Sequence, residues 1–218
     1  MEPPAARSPL STCLSLIRIC EKVLPGSESM VMDVLQREME KIYDQRGTYD
    51  DLGSLSALQA YLIYAMVLFF KVGRAAGQHF RGTVINLQDL ACASSRRGLL
   101  CAAEQEQARP RWEDWIVAEA KRRTLFSMYI FDNVLSAEEG LPTFIGLELQ
   151  GLLAPGSKDL WAISSRQEWQ VAYNAYLADW PQGGMRIDEL WPTPADLAQS
   201  EIDEIQRRVE QWLEAVID

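Results

Sequence analysis

Hydrophobic positions along the chain recur every three to four residues, the spacing of one face of an α-helix, and nowhere alternate over the length of a strand. "TCLSLIRICEKVL" (12–24) carries this spacing and stops at Pro25-Gly26. In "MVMDVLQREMEKIYDQR" the apolar residues Met32, Leu35, Met39 and Ile42 lead up to Gly47, and Ser27 or Ser29 is placed to cap the start. Ser54 is placed to cap a long apolar helix that ends near Gly73 or Gly77. Residues 85–107 resume helical spacing, as one helix or as a pair broken around Gly98, and Pro110 closes them. A helix then runs from Trp112 to Leu135. Residues 136–156 break the pattern with four glycines and two prolines, but their Leu, Phe and Ile residues mark an ordered crossing loop. Residues 158–180 read as one amphipathic helix with Trp161, Ala162, Trp169, Ala172, Tyr173 and Tyr176 on one side. "PQGG" (181–184) is a turn, and Pro194 opens a last helix. The prediction is an all-α protein: a loose tail over 1–11, then a single helical domain of about seven helices over 12–218.

The helix "RWEDWIVAEAKRRTLFSMYIFDNVL" is the anomalous one. On a wheel of about 100° per residue, Trp112, Trp115, Ile116, Phe126, Ile130 and Val134 share a stripe with Glu119, Arg122 and Arg123. Asp114 and Lys121 are expected to point the other way, into solvent. The wheel therefore places a charged cluster within an apolar face. Glu119 and Arg123 stand at i, i+4 in the favourable order. A buried pair of this kind is held only if its hydrogen-bonding capacity is nearly filled. The 136–156 loop is expected to return close by and offer carbonyls, to which an arginine fork is well suited.

Charge and composition narrow the function. The net charge is −10 and the pI about 4.7. Binding a polyanion needs Lys and Arg that displace counterions, so direct nucleic-acid contact by this chain is not expected. The longest apolar run, Ala60–Phe70, is 11 residues, against the roughly 20 of a membrane span, and reads as the all-round-buried helix of a core with no membrane partner. Cys13, Cys20, Cys92 and Cys101 form no C-x-x-C and have no histidine at ligand spacing; they read as reduced, mostly buried thiols in an intracellular protein, with no metal and no cofactor expected. The sole histidine, His79, is a poor basis for catalysis. Adjacent acids such as Asp50-Asp51, Glu138-Glu139 and Asp188-Glu189 suit capping or solvent. The candidates for acid–base work are the half-buried Glu119 and Asp132.

The run W-x-x-W-x-x-x-E-x-x-R-R-T (Trp112, Trp115, Glu119, Arg122, Arg123, Thr124) resembles the regulatory domain, or middle homology region, of fungal zinc-binuclear-cluster (Zn2Cys6) transcription factors. Asp132, the "GLP" of Gly140–Pro142, "LW-A" at Leu160–Ala162, Glu168-Trp169 and the C-terminal "RRVEQWLEAV" continue the resemblance in order. The six-cysteine DNA-reading segment of such regulators has no counterpart in these residues, so the chain reads as a stand-alone regulatory domain or one cut from a longer protein. The resemblance implies a helical body in which the Glu–Arg cluster is structural. It also implies a setting in nucleus or cytoplasm, in regulation of a gene set such as a secondary-metabolite pathway of polyketide type. Trp112, Trp115, Glu119, Arg122, Arg123, Trp161 and Trp169 are then either a structural clasp or part of a ligand site. A small apolar metabolite, a partner regulator or a second copy of the chain is the expected partner. The alternative is an enzyme recruited from this fold, cyclising or releasing a polyketide as a pyrone or lactone with a carboxylic acid or base. A third reading is a bare scaffold that pairs through its helices.

Overall fold

Eight α-helices form among the described residues, most of them near where the apolar spacing predicts helix: α1 Pro9–Cys20, α2 Glu28–Asp44, α3 Asp51–Val67, α4 His79–Ser95, which starts six residues before the expected 85, α5 Ala102–Gln105, α6 Trp112–Glu138, α7 Lys158–Ala162 and α8 Arg166–Asp179. The structure, a computed structural model, describes residues 8–20, 26–72, 79–96, 98–140, 149, 151–180, 183–190 and 207. No strand occurs among them; one isolated bridge pairs Leu153 with Arg186. The chain is all-α. The expected last helix from Pro194 and most of the 1–11 tail lie outside the described residues.

These residues gather into two compact units, 1–97 and 98–218, at a boundary that no shift in composition marks. In the first unit α3 is the central element and packs against α1, α2 and α4. It buries Leu55, Leu58, Tyr61, Leu62 and Tyr64, while α2 buries Leu35 and Met39 and α4 buries Leu87 and Leu90. The cap differs from expectation. Asp50, not Ser54, is the N-cap, its carboxylate accepting from Gly53 N–H at 2.7 Å; Ser54 lies inside the helix and donates back to the Asp50 carbonyl. An aspartate at the N-cap serves both the orphan N–H groups and the helix dipole. The last turn widens into a π-helical one over Leu68–Val72, and Phe70 is exposed, so the Ala60–Phe70 run is not buried all round. Asp51–Lys71 is long and apolar enough to cross a membrane by length and composition, and 56% of its most apolar window is buried inside the structure, as in a core helix.

In the second unit the predicted 158–180 helix is two helices. Ile163 is extended, and Ser165 caps α8 by accepting from Glu168 N–H. The break in the 85–107 region is at Gly98, whose φ is +97°. The segment that returns from α6 pairs with residues 185–187: Ala154 N–H donates to the Met185 carbonyl at 2.7 Å and Ile187 N–H to the Leu152 carbonyl at 2.9 Å. Gly184 is required there twice over, by a φ of +116° and because a Cβ would run into the Tyr176 hydroxyl.

Candidate functional site

α6 is the axis of the second unit, and the N-terminal half of it carries the charged cluster. Glu119 is wholly buried, with 0% of its surface exposed. Its Oε1 accepts from Arg123 Nε at 2.7 Å and from Gly156 N–H at 2.8 Å; its Oε2 accepts from Arg122 Nε at 3.2 Å and Arg122 Nη2 at 2.9 Å. A carboxylate has about four acceptor positions, and all are taken. The expected i, i+4 pair is present, and the segment after α6 does return, with Gly156 offering both its N–H to Glu119 and its carbonyl to Arg123 Nη2 at 2.6 Å.

Arg122 is the hub that sequence reasoning placed without its partner. Its Nη1 and Nη2 form a fork on Glu104, at 3.1 and 2.9 Å, and Nη1 also donates to the Leu99 carbonyl at 2.9 Å. With the two bonds to Glu119, all five guanidinium N–H donors are used. Burial pulls the Arg122 guanidinium toward losing its proton, but the Glu119 and Glu104 carboxylates outweigh this and hold its pKa above the ordinary value. Two buried carboxylates and two guanidinium groups balance in charge, the condition under which such a cluster is held in a low-dielectric interior.

Glu104 was not singled out from the sequence. It stands at the third position of the short α5 and reaches back to accept from Cys101 N–H at 2.8 Å, one half of a capping box. The Cys-x-x-Glu spacing was the available signal. The same carboxylate acts on the Cys101 thiol: burial, then the charge of Glu104, push it up to about 12. Lys121 corrects another expectation. It is only 1% exposed, and its Nζ donates to the Gly98 carbonyl at 3.2 Å; Asp114 is exposed as predicted. A single buried stripe was too narrow a picture, because α6 also buries Ala118, Leu125, Met128 and Phe131.

Aromatic side chains close over the clasp. Trp115 lies 5.2 Å from Trp169 and 6.4 Å from Trp161 between ring centres, and Trp169 stacks on Tyr173 at 4.7 Å. Arg123 lies 4.9 Å over the Trp161 ring, a cation–π contact at the cluster's half-exposed edge. Trp112 packs against this core, and the indole N–H groups of Trp112 and Trp169 are buried without an acceptor in the described structure. All seven residues predicted as clasp or ligand site are thus brought together.

Ile116 packs against the same core, but the C-terminal part of the predicted stripe does not. Phe126, Ile130 and Val134 line an open groove on the second half of α6, and Ile130 is 52% exposed. Asp132 lies 13 positions beyond Glu119, about 20 Å along the helix, so the two carboxyl groups do not share a site. Burial raises the Asp132 pKa. Cys13, Cys20, Cys92 and Cys101 are all free thiols; Cys13 and Cys20 are buried and Cys92 is exposed. No group of three His, Cys, Asp or Glu among the described residues is placed to hold a metal. His79 opens α4, and nothing of its side chain is described.

A family model described as "Fungal specific transcription factor domain" matches residues 49–175, which include every residue of the clasp. No curated protein and no solved structure matches the chain.

Proposed function

The chain belongs to the fungal specific transcription factor domain family, and from that premise we propose that it works as a regulatory domain through an apolar ligand or a partner regulator rather than through DNA contacts of its own. The observation that carries the reading is the filled state of Glu119. Every acceptor position on the one wholly buried carboxylate of the motif is used by Arg122, Arg123 or Gly156. No acceptor position on it is left for a substrate or ligand, so the motif works as a clasp that fixes loop segments to α6.

The 218 residues hold no six-cysteine zinc-cluster motif and carry a net charge of −10, which supports action through other molecules. The setting we infer, from the family, is control in the nucleus of a secondary-metabolite gene set of polyketide type. The enzyme alternative is left with Asp132 as its acid or base: half-buried, with its proton held more tightly than usual, and far from the clasp.

Deleting the gene in its host separates the two. The regulatory reading expects pathway transcripts to fall. Normal transcripts with one uncyclised precursor accumulating would refute it in favour of the enzyme, and turnover of that precursor by the purified chain would confirm the enzyme.

A further inference from the structure

The second half of α6 presents a concave face. Phe126, Ile130 and Val134 recur along one wall, Leu149 and Ile187 close the other side, and the space between is about 310 Å³. We infer that this groove binds a small, uncharged, mostly apolar molecule that carries one carbonyl or hydroxyl group. The inference rests on the ligand-binding part of the function proposed above and gives it a place.

Four observations carry it. First, the volume is at the lower end of ligand pockets, which sizes the occupant at a small fused ring system. Second, no Asp, Glu, Lys or Arg is among the described residues that line the groove, so a charged ligand would lose its hydration without gaining a partner among them. Third, Asn133 is in the lining, half-buried, and has no hydrogen-bond partner in the described structure. Its amide both donates and accepts, which suits a ligand carbonyl or hydroxyl. Fourth, the site is shaped for a molecule rather than a protein surface. Ile130 is the one large apolar residue of α6 that is mainly exposed, whereas a stable protein interface needs roughly 1,000 Å².

The groove is also joined to the clasp. Leu149 and Ile187 belong to the two segments that pair through Ile187 N–H and the Leu152 carbonyl, and Gly156, seven positions after Leu149, is held by Glu119 and Arg123. An occupant therefore presses on the stretch that the clasp pins, and can be felt beyond the groove.

The test uses the full chain and a neutral fluorophore, 6-propionyl-2-dimethylaminonaphthalene, a fused ring system with one ketone. Saturable binding with blue-shifted emission is expected. Ala137→Trp fills the groove from an exposed helix position and is expected to weaken binding at least about tenfold, with the circular dichroism spectrum and melting temperature kept. Ile130→Trp, also at an exposed position, is the second variant should the first fail to fold. Asn133→Leu is expected to weaken the ketone probe by about three- to tenfold, the worth of one hydrogen bond, and to leave 2-dimethylaminonaphthalene, which lacks the ketone, unchanged. Absence of saturable binding, or binding indifferent to the filling variants, overturns the inference. So does light scattering that shows a dimer which Ala137→Trp dissolves, because the groove is then a protein interface. Falling transcripts in the deletion strain together with failed probe binding would discard this site and keep the regulatory reading; binding with unchanged transcripts would do the reverse.

Discussion

Replacing Arg122 by methionine keeps much of the side-chain volume and removes five hydrogen bonds at once. Glu104 and Glu119 then face each other's charge without the guanidinium between them. Arg122→Met is expected to destabilise by about 3–5 kcal/mol, read as a lower urea midpoint, and adding Glu104→Gln is expected to recover part of the loss. Arg122→Lys recovers little, because a point charge with three donors does not reproduce the fork. Arg123 sits at the edge, with 26% of its side chain exposed, and Arg123→Ala is expected to cost about 1–2 kcal/mol, less than the loss at Arg122. Additive, sub-kilocalorie losses at both arginines would show that the cluster is not a clasp. Asp132 gives the pH dependence. Its pKa is raised in the folded chain by burial, so the fold gains from the protonated form below the ordinary carboxyl range and loses that gain as pH rises through the folded value. Asp132→Asn should therefore raise the melting temperature at neutral pH, with the difference from wild type vanishing below about pH 4.

Helices were the most legible part of the sequence, because a spacing of three to four residues survives whatever tertiary partners a helix finds. α6 begins at Trp112 as predicted, and the Glu119–Arg123 pair and the returning loop were readable from i, i+4 spacing and from the apolar content of residues 136–156. What a wheel cannot hold is the number of neighbours. It assigns one wet side to every helix, and so it sent Lys121 to solvent and Ile130 to the core, the reverse of what each does. Glu104 was hidden because its partner lies 18 positions away and its own helix is four residues long. The break at Ile163–Ser165 was hidden because the flanking residues share one apolar face across it. The turn at Gly183-Gly184 offers a test at this scale. Gly184→Ala is expected to destabilise by more than about 1 kcal/mol, since both the backbone angle and the Tyr176 hydroxyl oppose a Cβ. Adding Tyr176→Phe should restore the part due to the clash and leave the part due to the angle.

At the scale of the molecule, acidity and thiol placement set what the protein does in solution. Mobility-shift titrations of the purified chain with duplex DNA are expected to show no salt-sensitive binding at micromolar concentration; a specific shift without a partner would contradict the charge argument. Thiol labelling of the native chain should mark Cys92 first. Cys13 and Cys101, held up to about 11 and about 12, should stay unmodified near neutral pH until the chain unfolds. The clasp also marks two amides outside the regular helices. Cys101 N–H and Gly156 N–H each end, at 2.8 Å, on a buried carboxylate instead of on water. Loop amides ordinarily trade their protons with solvent within moments, whereas amides of a core do so only when a cooperative unit opens. In deuterated solvent these two should keep their protons about as long as the central turns of α6, so that the slow-exchanging part of residues 98–218 includes loop as well as helix.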